Sequence, residues 1–154
     1  MVDRIPSVHA AGIDTIDPRT LYRLLRLRSE VFVVEQACVY LDLDGRDLEA
    51  GCRLLWIEEE GRMLATLRLL VEPGGRHRIG RVATAVEARR RGLARVLVAG
   101  AVDLAGTAVV LDAQSHLAAW YGALGFTVDG ADYVEDGIAH TPMRRAGPDE
   151  GPPT

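Results

Sequence analysis

Four consecutive residues carry the clearest chemistry in this chain: Arg89, Arg90, Arg91 and Gly92. A strand-like run, Ile79 to Thr84, stands before them, joined by the short acidic link Val86-Glu87-Ala88. The apolar run that follows, to Ala105, reads as a helix. Glycine at the mouth of a helix lets backbone N–H groups approach a ligand closely. The first turn offers N–H donors with no intrahelical acceptor, at the positive end of the helix dipole. With guanidinium groups beside it, the combination predicts an anion site suited to a phosphate or pyrophosphate. Taken alone, the same arginines also read as the solvated start of a helix. The stretch is not a Walker loop, since no Gly-Lys-Ser/Thr follows, nor is it the G-x-G-x-x-G of dinucleotide-binding folds.

A second polar segment, Asp42 to Glu49, contains Asp42-x-Asp44-Gly45-x-Asp47. Only its start is like a calcium loop: the closing Glu of a twelve-residue loop is missing in register, so no metal is expected. It reads either as a solvated loop or as an attractor for a cationic amine. Cys38 and Cys52 lack CxxC spacing and read as reduced thiols of a cytoplasmic protein. All 18 basic residues are arginine, so no lysine is present to form a Schiff base.

The 154 residues suit one domain, expected over residues 1–145, with a Pro- and Gly-rich disordered tail over 146–154. An apolar content of 48% with mixed charge argues against disorder, and a net charge of −4 against a general nucleic-acid binder. The N-terminus has no apolar signal core, and no run is long enough to span a bilayer.

These groups need elements to hold them. A short edge strand is expected near Val8. Asp17-Pro18 starts a helix, with Asp as N-cap and Pro at the first helical position. Its apolar face comprises Leu21, Leu24, Leu25 and Leu27, then Val31 and Phe32, with Arg23, Arg26 and Glu30 opposite. Arg53–Glu58 and Met63–Val71 form a hairpin turning at Gly61. A strand over Arg78–Thr84 leads to a helix from about Arg91 to Ala105, closed by Gly106. Val109–Asp112 reads as an interior strand. Ser115 caps a helix through Leu124, and Phe126–Asp129 pairs with Ile138–Met143 around Glu135-Asp136-Gly137. The order predicts a mixed α/β sheet with a parallel crossover.

The spacing Arg89-x-x-Gly92-x-Ala94, after a strand and opening a helix, resembles the pyrophosphate loop of GNAT-superfamily acyl-CoA N-acyltransferases. Gln114 to Phe126 (QSHLAAWYGALGF) resembles the helix that flanks the thioester end of the cofactor in that family. Tyr121 and Gly125-Phe126 match its pattern, and Gln114 stands where Asn is frequent. The run Leu27-Arg28-x-x-Val31-Phe32-Val33-Val34-Glu35-Gln36-x-Cys38 resembles the ElaA-type branch. So do Asp42-x-Asp44-Gly45-x-Asp47, Gln114-x-His116-Leu117 and Glu135-Asp136-Gly137-Ile138-x-His140. The likeness covers about Leu21 to Arg144. Val39, where the branch usually has Pro, and Arg53, where it tends to have His, depart from it and are expected on the acceptor side.

The resemblance implies a GNAT acyl-CoA N-acyltransferase fold, a mixed central sheet of about six to seven strands flanked by helices. It implies acetyl transfer from acetyl-CoA, as co-substrate, to the amine of a small-molecule or peptidyl acceptor. Neither nucleic acid nor membrane is an expected partner, and the final hairpin suits a homodimer. Tyr121 is expected to protonate the departing thiolate, and Glu35 to take the amine proton, with His116 and His140 as runners-up. Backbone N–H around Val82, Ala83 and Thr84 is expected to receive the thioester oxygen. The pyrophosphate is expected on the N–H groups of Arg90, Arg91, Gly92, Leu93, Ala94 and Arg95 and the guanidinium of Arg89 or Arg90. Gln114 and Tyr121 complete the cofactor set. Two other readings stand beside this one: a CoA-binding sensor without turnover, and an acyl-homoserine-lactone synthase-like enzyme.

Overall fold

The computed structural model describes residues 4–151. Its strands are β1 (His9–Ala11), β2 (Arg53–Glu59), β3 (Arg62–Val71), β4 (His77–Thr84), β5 (Val109–Gln114), β6 (Thr127–Val128), β7 (Tyr133–Glu135) and β8 (Ile138–Arg145). The helices are α1 (Pro18–Arg28), α2 (Leu93–Ala105) and α3 (Ala118–Gly122), and Ser29–Glu35 continues α1 as a π-helix. All eight strands join one sheet in the order β1-β2-β3-β4-β5-β8-β6, with β7 on β8 off that path. β4 and β5 are parallel and α2 is their crossover; the other pairs are antiparallel. This is the mixed sheet expected, with one more short strand than the reading from sequence.

Asp17 caps α1 through Thr20 N–H at 3.0 Å with Pro18 behind it, as its sequence requires. Leu24 and Leu27 are buried, and α1 packs on β3. Every residue of β3 from Met63 to Leu70 is buried. Since successive side chains point to opposite faces, both faces of the sheet are covered there. Gly106 closes α2 in the left-handed region, its N–H on Val102 O at 3.2 Å.

Two departures from regular pairing open the sheet. β4 and β5 are in register only at His77↔Val109 and Arg78↔Val110. Beyond that point β4 leaves β5, while β8 stays paired along the whole other edge of β5. In the β3–β4 ladder the register jumps from Arg68↔Gly80 to Thr66↔Ala83. Arg81 and Val82 thus face Leu67 alone, which is a β-bulge. Arg81 takes φ +54°, a left-handed conformation that non-glycine residues rarely hold without outside support.

That support is an ion cluster. Arg28, 1% exposed, donates to Asp42 at 2.9 Å and to Asp47 at 2.7 Å. Arg68 donates to both oxygens of Asp44 at 2.8 and 2.7 Å. Arg81 lies 2.8 Å from Asp42 and 3.2 Å from Asp44, and over the Tyr40 ring at 5.3 Å. The acidic loop is therefore neither a free solvated loop nor an open attractor for an amine: its three aspartates are each held by arginines from α1, β3 or β4.

Other local expectations shift by a few residues. α2 begins at Leu93, with Gly92 as N-cap. Ser115–Leu117 is a 3₁₀ turn without a side-chain cap, and α3 starts only at Ala118. β6 does pair with β8, and a tight turn at Asp136-Gly137, both at positive φ, joins β7 to β8. Of the stretch expected as a tail, Ala146 and Gly147 pack inward, an added Gly147 Cβ falling 2.8 Å from Ala108 N. Residues 152–154 lie outside the described residues.

Replacing Arg28 by Ala leaves two buried carboxylates without that cation, so a loss of about 3 kcal/mol or more is expected in urea unfolding. Arg26→Ala, which breaks the exposed pair with Glu30, should change stability by less than about 1 kcal/mol. Equal, small effects would reject a structural role for Arg28. The hydrogen bonds from Arg68 hold the Asp44 carboxyl well below the usual range. A lowered folded pKa means its contribution is complete above roughly pH 4 and drains away as pH falls further. Asp44→Asn should therefore lower stability at pH 7 and flatten its fall in acid.

Candidate active site

Where β4 and β5 part lies a cleft of about 960 Å³. Gly80 to Thr84 of β4 form one wall and Leu111 to Gln114 of β5 the other. The start of α2 lies at one end, and the π-helix and the β7–β8 hairpin approach from the sides.

The anion end follows from Gly92. Its φ of +74° turns the chain into α2, and an added Cβ would meet nothing within 4 Å, so conformation rather than crowding selects glycine. No side chain caps α2, and the first backbone bond at its start is Val96 N–H to Gly92 O at 3.2 Å. The N–H groups of Leu93, Ala94 and Arg95 therefore lack intrahelical acceptors. These three residues and Gly92 line the cleft.

The arginines divide. Arg89 lines the cleft and holds Glu35 bidentately, Nη1 and Nη2 on the two carboxylate oxygens at 2.5 and 2.6 Å. Its Nε donates to Thr84 O at 3.2 Å. Arg91 instead pairs with Glu59 at 2.7 Å. Neither Arg90 nor Arg91 is among the lining residues, so the cluster does not act as one patch. Arg95, one turn into α2, does line the cleft.

Val82, Ala83 and Thr84 line the cleft from the bulged strand. Tyr121 enters from α3, 6% exposed, edge-on to Trp120 and Phe126 at 4.8 and 6.0 Å. Burial pushes its phenol up to about 12, so the hydroxyl keeps its proton at neutral pH. Gln114 donates to Gln36 Oε1 at 3.4 Å, tying the end of β5 to the residue after the π-helix. Glu35 reaches the cleft from the end of that helix, and the hydrogen bonds from Arg89 lower its carboxyl. Its partner is Arg89, while Arg28 is committed to the aspartates.

His116 and His140 both line the cleft. His140 stacks on Tyr133 at 5.4 Å, with Nδ1 2.8 Å from Ile138 O. A carbonyl only accepts, so Nδ1 carries the hydrogen of this bond. Cys52 is buried, its thiol pushed up to about 11 by desolvation, which makes it unreactive. Val39 is 99% exposed and Arg53 is exposed on β2; neither lines the cleft, where both departures were expected to bear.

Sequence reasoning missed Gln36, Arg81 and Tyr133. Arg81 carries no motif of its own. Tyr133 lies in a three-residue strand, too short to show an apolar alternation. A signal for Arg28 was present: it falls four residues after Leu24, on the helix face that is otherwise apolar.

Residues 30–146 match the acetyltransferase (GNAT) domain family. A UPF0039 protein of Mycobacterium tuberculosis is 47% identical over 137 residues, 86% of this chain and 88% of that one. Protein ElaA of Escherichia coli is 36% identical over 135 residues, 81% and 86% of the two chains. Its crystal structure matches with a TM-score of 0.85 at 30% identity, covering 92% of this chain and 99% of that one. The crystal structure of an acyl-CoA N-acyltransferase from Pseudomonas aeruginosa matches with a TM-score of 0.87 at 41% identity, covering 92% and 100%.

Gly92→Ala forces a side chain into the left-handed region at a cost of about 1–2 kcal/mol and tilts the first N–H groups of α2. Titration calorimetry with CoA should show affinity about tenfold lower. Unchanged affinity would remove these N–H groups from the site.

Proposed function

The chain belongs to the GNAT acetyltransferase family, and from that membership we propose that it moves an acetyl group from acetyl-CoA to a primary amine. Acyl transfer from an acyl-CoA is the family's chemistry; the acetyl donor, the amine acceptor and the residue roles are our reading. The amine nitrogen bonds to the thioester carbonyl carbon, and the C–S bond breaks. Tyr121 gives its proton to the leaving thiolate, and Glu35 takes the proton lost by the amine. Backbone N–H at the bulge, from Val82 to Thr84, stabilises the charge on the carbonyl oxygen. The uncapped start of α2 holds the pyrophosphate, with Arg89 beside it.

The observation that carries this reading is the buried, protonated phenol of Tyr121 in the same cleft as an uncapped helix start. A phenol that keeps its proton can donate a hydrogen bond to the leaving sulfur, and the parted strands give an extended ligand a path between the two. Carboxylates also line the cleft: Glu35, held by Arg89, and Glu135 and Asp136 at the hairpin turn. They favour an acceptor that arrives as an ammonium. Both cysteines are free, which suits the reducing cytoplasm proposed for the protein.

Release of free thiol from acetyl-CoA should be observed across a panel of small and peptidyl amines. Tyr121→Phe should lower kcat by about 10²-fold while CoA affinity stays within about twofold. Because the phenol titrates near 12, it stays protonated as pH rises, and no falling limb from Tyr121 is expected between roughly pH 7 and 10. CoA binding without turnover on any amine would favour a binding module instead.

A further inference from the structure

Building on the acyltransferase reading, we propose that Arg89 serves two ligands in succession. It holds Glu35 in the free protein, then passes to the pyrophosphate when acyl-CoA binds, and the freed Glu35 carboxylate becomes available to the acceptor.

The geometry sets up a competition. Arg89 spends its two-pronged edge on Glu35, both oxygens engaged at 2.5 and 2.6 Å, and its Nε on Thr84 O at 3.2 Å. The same planar fork fits two phosphate oxygens. The other guanidinium groups of the loop do not substitute: Arg91 is on Glu59, and neither it nor Arg90 lines the cleft. A pyrophosphate at the N–H groups of Leu93, Ala94 and Arg95 would lie close to Arg89 in the same cleft. Were the ion pair to persist, Glu35 would face that added negative charge.

Magnitudes favour the exchange. The side chains of Arg89 and Glu35 are 38% and 39% exposed. At this exposure water screens even a bidentate pair, so breaking it costs less than breaking a buried one. A multiply charged pyrophosphate, already drawn by the N–H groups and dipole of α2, is the stronger partner.

The position of Glu35 gives the exchange a purpose. It ends the π-helix, and the next residue, Gln36, accepts from Gln114 at the end of β5. While paired, its carboxylate is a poor proton acceptor, since Arg89 stabilises its ionised form. Once released, it is a free carboxylate lining the same cleft as Tyr121. The acceptor amine is then bound productively only after acyl-CoA, so one ion pair enforces the order of binding.

Calorimetric titration of CoA into wild type, Glu35→Gln, Arg89→Ala and the double variant tests this. Exchange requires Glu35→Gln to bind CoA about two- to fivefold more tightly, because Arg89 no longer has a partner to leave. Arg89→Ala should bind about tenfold more weakly, and adding Glu35→Gln to it should change nothing further. Glu35→Ala, measured in parallel, should repeat the tightening, and thermal melts should confirm that each variant is folded. If Glu35→Gln binds CoA equally or less tightly, the exchange is overturned: the pair is then a fixed brace that aims Arg89, and the site reading stands. If folded wild type binds no CoA, the site reading falls as well.

Discussion

A single buried guanidinium sets much of this architecture. Arg28 ends α1 at 1% exposure, and taking it out of water is costly unless carboxylates of good geometry surround it. Asp42 and Asp47 meet that condition at 2.9 and 2.7 Å. Pinning these two residues folds the loop between them back on the sheet. Asp44 is thereby carried to Arg68, and Asp42 and Asp44 to Arg81. Arg81 is the strained residue of the β4 bulge. The cluster thus runs from the end of the first helix to the strand that forms one wall of the cleft. The two stretches that most mark the chain as ElaA-like, Leu-Arg-x-x-Val-Phe and Asp-x-Asp-Gly-x-Asp, are two halves of this one ionic structure.

The cleft itself comes from the parting of β4 from one edge of β5. Its N-terminal residues pair with β4, but β8 takes the antiparallel side along all six residues, Val109 to Gln114. A sheet that twists steadily could keep both pairings. Here the bulge redirects β4 just beyond its contact with β5, and the strands diverge. The divergence leaves backbone groups of β4 near Val82 without a ladder partner on either side. In a closed sheet interior such groups would be a liability; beside a cleft they can serve a ligand.

The features legible in the sequence share one property: each is local. The Asp17-Pro18 helix start, the turns at Gly61 and Gly137, the stop at Gly106 and the loop before α2 depend on residues a few positions apart. Tyr121 and Gln114 were legible through a pattern of the same short range. What escaped depends on contacts between distant segments. The partner of Glu35 is 54 residues away, beyond the reach of any local pattern. The three arginines read as one patch, yet the chain is left-handed at Arg90 and Gly92, and Arg91 between them pairs with Glu59. Asp42, Asp44 and Asp47 look like a solvated acidic run because the arginines that neutralise them lie on three other elements.

The π-helix at Ser29–Glu35 shows how such distant ties reach the chemistry. Gln36 N–H bonds to Val31 O at 3.2 Å, five residues back rather than four. The wider winding lets each residue turn less about the axis than in an α-helix. Arg28 stays buried in its cluster at the start of the segment, and Glu35 with Gln36 face the cleft at its end. A regular α-helix over the same seven residues would rotate those last side chains out of register with the first. Held at one end by the aspartates and at the other by Arg89 and Gln114, the segment has little freedom to unwind. The ion cluster therefore positions the Glu35 carboxylate as well as the β4 wall, and two sides of one cleft rest on one buried charge.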